Sequence, residues 1–171
     1  MEKMKIRLAE QQDLQKLKMV YKGIIENMNR NQIGIWDDIY PCDFFEKDIK
    51  NRCLYILEEC EQIVGAFALS DSHSGEKAVE WRNQKAKALY LDRFGVAVDH
   101  LKKGMGSFML TGAKKIARSK GVDWLRLFVV EINQPAINLY TKNGFKKAEG
   151  VYEEKIDEDL ILYEYGYEIE L

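Results

Sequence analysis

The feature that most constrains this chain is a strand, turn, helix and strand between residues 86 and 130. An apolar run over 86–98 predicts a long strand, and residues 106–120 repeat their apolar members at helical spacing. A second apolar run, at 124–130, predicts the next strand. Two strands joined through one helix form a parallel pair with a right-handed crossover. We therefore expect at least one parallel pair in the sheet.

The other segments predict a mixed sheet with helices, of the α/β or α+β class. Short-range apolar patterns predict strands at 6–8, 54–59, 63–70, 78–81, 145–153 and 160–169, and helices at 13–28, 44–51 and 135–142. The 171 residues can bury one core and are few for two, so we expect a single domain spanning 1–171. The acidic stretch EEKIDEDL, at 153–160, predicts a solvated hairpin turn.

Charge and composition exclude several classes of partner. The 26 basic and 28 acidic side chains leave a formal charge of -2, so no general basic field recruits nucleic acid or an anionic membrane. No apolar run could span a bilayer, and the charged start MEKMKIRLAE lacks an apolar signal core, so we expect a cytoplasmic protein. The 3 cysteines and 2 histidines have no zinc-ligand spacing, which predicts reduced thiols and no metal site.

The turn HLKKGMGSFMLTGAKK, residues 100–115, brings two lysines and a Gly-x-Gly to the start of the helix. A helix N-terminus attracts anions where glycine lets the backbone come close, although a tight turn with solvated lysines fits the same letters. A dinucleotide fingerprint would need glycine or alanine where Met109 stands. A Walker loop would need lysine after Gly106, which is followed by Ser107.

Two blocks together carry a resemblance to a known family. LDRFGVAVDHLKKGMGSFML resembles the acetyl-CoA motif of the GNAT superfamily of N-acetyltransferases, a strand followed by Gln/Arg-x-x-Gly-x-Gly/Ala and a helix. LRLFVVEINQPAINLYTKNGF is similar to the strand and helix that follow in that superfamily. The resemblance implies a GNAT-like fold: a mixed, mostly antiparallel sheet with one parallel, splayed strand pair and about four helices.

The same resemblance implies acetyl-CoA as cofactor, although Leu101 stands where Gln or Arg is usual and Lys102 where glycine is common. Backbone amides of the loop would hold the pyrophosphate, with Lys102 and Lys103 supplying the missing polar side chain. The pantetheine arm would pair with main-chain groups near Phe94 and Val96. The full set of expected cofactor-binding residues is Phe94, Val96, Leu101, Lys102, Lys103, Gly104, Met105, Gly106, Ser107, Asn133 and Tyr140.

Three residues are candidates for the chemistry. Tyr140 matches the family tyrosine that protonates the leaving thiolate, but a core tyrosine packed beside Leu139 is an equal alternative. Asp92 interrupts an apolar strand, where its carboxylate is disfavoured, so it is either the base or a structural carboxylate satisfied by neighbours. Glu80, next to Trp81, is the competing base, acting directly or through water.

The acceptor site has weaker signals. Trp36, Tyr40, Trp81 and Tyr90 are candidate walls, and WDDIYP resembles a Trp-x-x-x-Tyr-Pro loop of some family members. Aromatic residues in such loops also serve packing alone. We expect His73 and His100 to be exposed bystanders.

The resemblance therefore predicts an N-acetyltransferase that joins an acetyl group to a small-molecule amine or a protein N-terminus by direct attack in a ternary complex. A homodimer is compatible with this. A non-catalytic acyl-CoA-binding or regulatory module on the same fold would keep the glycine turn without needing Asp92 or Tyr140. A protein-interaction domain would have no affinity for CoA.

Overall fold

Residues 3–171 are described by a computed structural model, and they form four α-helices and ten strands. The strands are mostly antiparallel with one parallel pair, which confirms the expected fold class. No helix in this part of the chain is long and apolar enough to cross a membrane. The chain packs as two compact units, Met1–Leu69 with Arg93–Gly112, and Ser70–Asp92 with Ala113–Leu171. The single domain over 1–171 stays a prediction.

The elements lie close to their expected positions. The helices are α1 Leu14–Arg30, α2 Phe45–Lys50, α3 Met105–Ser119 and α4 Gln134–Lys142. The strands are β1 Lys5–Leu8, β2 Leu54–Glu59, β3 Gln62–Ser70, β4 Val79–Glu80, β5 Ala88–Val96, β6 Trp124–Val130, β7 Lys146–Lys147, β8 Glu149–Gly150, β9 Tyr152–Lys155 and β10 Ile161–Glu170. Short 3-10 turns precede α1 and α2, at Gln11–Asp13 and Cys42–Phe44.

In the first unit the strands run in the order β1, β2, β3 and the second half of β5. The apolar stripe of α1 is buried, as its helical spacing predicts. It forms a core with α2, β2 and β3 whose buried members include Leu17, Tyr21, Phe45, Leu54, Ile56 and Ala66. This core fixes Tyr21 below β5, where its hydroxyl lies within hydrogen-bond distance of the Ala66 and Arg93 carbonyls.

The edge of this unit is held by an ionic network. Arg7 on β1 donates to both carboxyl oxygens of Asp13, at 2.8 and 2.9 Å, and to Glu58 on β2. The Arg7 guanidinium holds the pKa of the Asp13 carboxyl below its usual value. Asp13 also accepts from the Glu10 N–H, so one carboxylate joins β1 to the start of α1.

In the second unit the strands run in the order β5, β6, β10 and β7, with β9 also pairing with β10. The first half of β5 is parallel to β6, from Ala88 opposite Trp124 to Leu91 opposite Leu127. β10 is antiparallel to β6 from Glu164 to Glu170. Because side chains alternate along a strand, Tyr90, Arg126, Phe128 and Glu164 share one face.

The prediction of a single strand at 145–153 is wrong, because the chain there forms three short strands. β7 pairs with β10, β8 leaves to pair with β4, and β9 returns to β10. Gly150 permits this path, since its φ is +104° and a Cβ atom there would lie 2.9 Å from the Ala78 carbonyl oxygen. The hairpin turn expected at the acidic stretch is confirmed, with Lys155 opposite Ile161 across it.

Candidate active site

The glycine turn has a backbone suited to an anion. Lys102 and Gly104 have positive φ angles, +59° and +80°, and α3 begins at Met105. The Phe108 N–H donates to the Gly104 carbonyl at 3.0 Å, so the helical hydrogen bonding of α3 reaches back to Gly104 and the turn lies at the N-terminus of the helix. No atom of the described residues lies within 4 Å of a Cβ built on Gly104. This open space beside a helix N-terminus fits the pyrophosphate that the family resemblance implies.

The side chains of the turn divide into different roles. Leu101 is 41% exposed, and the Lys103 ammonium donates to the Asp99 carbonyl at 2.9 Å. Lys103 therefore steadies the turn that precedes it. Lys102 occupies the left-handed conformation for which glycine is favoured. Met105, Gly106 and Ser107 form the first turn of α3, where the amides of a helix point towards an anion.

β5 contains a conformational irregularity at Arg93, whose φ is +54°. The Arg93 guanidinium forms two hydrogen bonds with Asp48, at 2.7 and 2.9 Å. Burial raises the pKa of the Asp48 carboxyl, and the Arg93 charge opposes that shift. Phe94, the next residue, stacks on Phe67 with ring centroids 6.4 Å apart. The backbone leading to Val96 is therefore held from both sides of Arg93.

α4 places the candidate tyrosine in a buried position. Asn133 caps the helix by accepting a hydrogen bond from the Ala136 N–H at 3.4 Å. Tyr140 is 6% exposed and its ring meets Phe145 edge-on, at 5.9 Å between centroids. This environment is compatible with both the catalytic and the core assignment of Tyr140.

The parallel pairing of β5 with β6 ends at Leu91, which lies opposite Leu127. Asp92 is the next residue of β5. Its Oδ1 lies 3.7 Å from Nε2 of His73, and both side chains are 16% exposed. The Gly75 N–H donates to His73 Nδ1 at 2.9 Å, so Nδ1 is an acceptor and the ring proton of neutral His73 is on Nε2, facing Asp92.

The expectation that His73 is an exposed bystander is therefore wrong. Its ring stacks on Phe128 with centroids 4.3 Å apart and lies 5.9 Å from the Tyr90 ring. The sequence could not show this because His73 lies in a loop far along the chain from Phe128. His100 is also partly buried, with Nε2 3.7 Å from Glu59 and Nδ1 buried without a partner among the described residues, so it too is not an exposed bystander.

Glu164 on β10 is a buried acid that sequence reasoning missed. It is 8% exposed, and burial together with the nearby carboxylates of Glu154 and Asp92 raises its pKa to about 9. A signal was available, since Glu164 and Glu168 interrupt the aromatic strand ILYEYGYEIE as Asp92 interrupts β5. Both glutamates are buried, on the face that also carries Phe128 and Arg126.

The competing base is placed differently from Asp92. Glu80 is exposed on β4, while its neighbours Val79 and Trp81 are buried in one cluster with Tyr90. Alternation along the strand puts the Glu80 side chain on the face opposite to Trp81. This position separates the carboxylate from the aromatic cluster to which Trp81 and Tyr90 belong.

The four expected acceptor-site aromatics lie in two separate groups. In the first unit Trp36 stacks on the core residue Tyr21 at 5.7 Å, and Tyr40 meets Phe44 edge-on at 5.2 Å. In the second unit Trp81 and Tyr90 line a cleft of about 660 Å³. The Arg126 guanidinium lies 4.7 Å from the Trp81 ring centroid and forms part of the same cleft.

The remaining expectations concern thiols and metals. None of Cys42, Cys53 and Cys60 forms a disulfide. Within residues 3–171, no three His, Cys, Asp or Glu side chains are grouped so that they could hold a metal ion.

Comparison with known proteins connects this geometry to a family. The model of the "Acetyltransferase (GNAT) family" matches residues 21–145. The chain is 29% identical over 146 residues to the Bacillus subtilis (strain 168) protein named "Putative phosphinothricin acetyltransferase YwnH", covering 83% of each chain.

Solved structures agree in fold. A GNAT family acetyltransferase from Streptococcus agalactiae 2603 superposes with a TM-score of 0.81 at 18% identity, covering 98% of this chain and 95% of that chain. A GNAT family acetyltransferase from Listeria monocytogenes 4b F2365 has a TM-score of 0.76 at 20% identity, with the same coverage. Because the family model extends from within α1 to the end of the α4 segment, the chain belongs to the GNAT family of acetyltransferases.

Proposed function

We propose that the chain transfers the acetyl group of acetyl-CoA to a primary amine, of a small molecule or a protein N-terminus, by direct attack with both substrates bound. The observation that carries the proposal is the turn at the start of α3, with positive φ angles at Lys102 and Gly104 and open space beside Gly104. An anion at a helix N-terminus is stabilised by the helix dipole and by the first amides of the helix.

The residues that would hold the cofactor are those of the turn, Leu101 to Ser107, with the main chain of Phe94 and Val96 and the Asn133 side chain. When bound, acetyl-CoA supplies an acetyl thioester. Main-chain groups of β5 beyond Asp92 suit an extended amide-containing arm, which pairs as an added strand would.

Asp92 is the proposed base. Its carboxylate takes a proton from the substrate ammonium, and the amine nitrogen then forms a bond to the acetyl carbon as the carbon–sulfur bond breaks. His73 supports this role because its ring, held by the Gly75 N–H, places Nε2 beside the Asp92 carboxylate. Glu80 remains the alternative, directly or through water, although its exposed position favours Asp92.

Tyr140 is the proposed acid, whose hydroxyl proton goes to the departing thiolate, and the second proton that the nitrogen loses on forming the amide is taken up by the Tyr140 oxygen. The test is CoA release in an amine screen, comparing wild type with Tyr140→Phe and Asp92→Asn. Tyr140→Phe keeps the ring and its packing, so acetyl-CoA should still raise the melting temperature while turnover falls by ~10² or more. Asp92→Asn should flatten the rising acid limb of the pH–rate profile.

Three outcomes would contradict parts of the proposal. A thermal shift with acetyl-CoA but no CoA release with any amine would favour the alternative, a non-catalytic acyl-CoA-binding or regulatory module. No thermal shift at millimolar acetyl-CoA would exclude CoA binding altogether. Turnover at the wild-type rate in both variants would show that Asp92 and Tyr140 are not the catalytic pair.

A further inference from the structure

Three carboxyl groups lie on one face of the second unit. Glu164 on β10 is directly opposite Tyr152 on β9, and Glu154 is two residues further along β9 on the same face. Asp92 is on β5, two strands away across β6. We call these three residues the carboxyl cluster. Since neighbouring strands lie about 4.8 Å apart, Asp92 and Glu164 are separated by about 10 Å, and Glu154 lies one strand further away.

Glu164 is the unusual member of the carboxyl cluster. Its residue is 8% exposed, and one of its carboxyl oxygens, Oε2, is buried with no hydrogen-bond partner among the described residues. Within residues 3–171, no lysine or arginine forms an ion pair with Glu164 or Glu154. A buried, uncompensated carboxyl group is unfavourable unless a ligand supplies its partner.

Without a ligand, the surroundings of Glu164 favour its protonated form. Burial is the main cause that raises the pKa of Glu164, and the hydrogen bond and charge of Glu154 and the charge of Asp92 add to it. Each of these causes disfavours the ionised form in a site that has no cation. A cation placed beside Glu164 would reverse them, so its binding should release a proton.

Aromatic rings line the same face. The rings of Phe128, His73 and Tyr152 contact one another, with centroids 4.3 Å apart for Phe128 and His73, 5.8 Å for Phe128 and Tyr152, and 6.0 Å for His73 and Tyr152. The backbone of the 71–78 loop comes close to both rings, since a Cβ on Gly75 would be 2.7 Å from Tyr152 and 3.1 Å from Phe128. Carboxyl groups beside aromatic faces attract organic cations through charge and through the ring quadrupole.

The carboxyl groups and aromatic rings of this face favour some classes of ligand over others. The carboxyl cluster does not group its oxygens as a metal ion requires, because no such group of ligands occurs among the described residues. A ligand with a carboxylate or phosphinate would face repulsion from Asp92 and the glutamates. An organic cation with its charges spread along a chain is complementary to both the carboxyl groups and the rings.

We propose that the acceptor is an amine carrying a second positive charge, held by Glu164 and Glu154 while the reacting nitrogen lies at Asp92. This inference rests on the proposed acetyl transfer to an amine. An aliphatic diamine has the required shape, since its two nitrogens can lie on the two sides of the face that β6 separates. The site would disfavour amino acids, whose carboxylate lies next to the amine.

The test compares three acceptors with the same five-carbon chain: 1,5-diaminopentane, pentylamine and 5-aminopentanoate. Measured by CoA release, kcat/KM for the diamine should exceed that for pentylamine by about tenfold or more, and 5-aminopentanoate should be poorer than pentylamine. Glu164→Gln and Glu154→Gln should each lower the ratio of diamine to pentylamine towards one. Glu153→Gln is the matched control, because Glu153 is exposed and on the other face of β9, and it should keep the wild-type ratio.

A binding measurement separates this inference from the proposed function. Calorimetric titration with 1,5-diaminopentane, in buffers of different ionisation enthalpy, should show proton release in wild type that Glu164→Gln abolishes. If no amine is acetylated but this proton release is found, the cation site stands and the proposed function fails. If the diamine binds no better than pentylamine, or if both glutamine variants keep the wild-type preference, the cation site is wrong.

Discussion

Two of the non-glycine residues with positive φ, Arg93 and Lys102, belong to the candidate site, and each is held differently. Arg93, with φ of +54°, is fixed by its two hydrogen bonds to Asp48 and by the Tyr21 hydroxyl below its carbonyl. Lys102, with φ of +59°, is an exposed residue of the turn before α3. The Arg93 conformation is thus supported by buried neighbours, whereas Lys102 keeps a strained conformation at a surface that we assign to pyrophosphate.

Lys102→Gly should stabilise the protein and weaken acetyl-CoA binding. The left-handed conformation costs a non-glycine residue roughly 1–2 kcal/mol, and glycine loses roughly 0.5–1 kcal/mol more entropy on folding. We therefore expect the free energy of unfolding in urea to rise by about 0.5 kcal/mol. Loss of the ammonium should weaken acetyl-CoA binding, most clearly at low salt.

Lys103→Gly is the control for this substitution. It removes the same charge, but the Lys103 ammonium bonds to the Asp99 carbonyl and steadies the preceding turn, so we expect lower stability. A Lys102→Gly protein less stable than wild type would contradict the idea that this residue is strained.

At the scale of elements, β3, β5 and α3 pack closely against one another in the first unit. A Cβ atom on Gly65 of β3 would lie 2.7 Å from the Gly95 carbonyl oxygen and 2.6 Å from the Met109 sulfur. The backbone contact cannot be relieved by a side-chain rotation, so Gly65 sets the distance between β3 and β5. Gly23 in the middle of α1 differs, since no described atom lies within 4 Å of its built Cβ.

The two glycines should therefore respond to alanine in opposite directions. Gly23→Ala should raise the free energy of unfolding by about 0.5–1 kcal/mol, because alanine favours a helix interior over glycine. Gly65→Ala should lower it by about 1–3 kcal/mol, because the added methyl overpacks a contact with backbone. Urea unfolding of both variants checks the pair, and a Gly65→Ala protein as stable as wild type would show that β3 can move.

The same elements show how much the sequence could predict. The pattern of α1 was sufficient because the helix buries one face, so its apolar residues repeat at helical spacing, and the apolar run of β6 was sufficient because nearly all of its residues are buried. The segment 145–153 was not predictable in this way, because β8 is fixed by β4, whose residues are far away in the chain. Local patterns do not contain such partners.

In the candidate site, too, some features could be predicted from the sequence and others could not. The turn before α3 was predictable, since its glycines and the helix that follows are contiguous in sequence. Asp92 was found because a carboxylate is unusual in an apolar strand. Its neighbour His73 and the burial of Glu164 depend on contacts between separate strands and loops, which the sequence does not reveal.

At the scale of the whole chain, two buried carboxyl groups with opposite pKa shifts, Asp13 and Glu164, make opposite contributions to the pH dependence of stability. The pKa of Asp13 is lowered by Arg7, so its contribution is present above the unfolded value of 3.8 and is lost as pH falls below it. The pKa of Glu164 is raised from 4.5 to about 9, so the folded chain binds more protons than the unfolded chain between those values. Its contribution is present below pH 4.5 and is lost as pH rises towards 9.

In the Glu164→Gln variant, the free energy of unfolding should therefore fall less as pH rises above neutral. In wild type we expect the free energy of unfolding to fall between pH 6 and pH 9, by at most about 1.4 kcal/mol per pH unit from this group. Glutamine has the same shape and does not ionise, so the fall should flatten, and the variant should be more stable than wild type at pH 8. Urea unfolding at several pH values measures the slope, with the exposed Glu153→Gln as a control that keeps it. A slope unchanged by Glu164→Gln would show that Glu164 is ionised in the folded chain without a ligand, and would remove the reason to expect proton release when a cation binds.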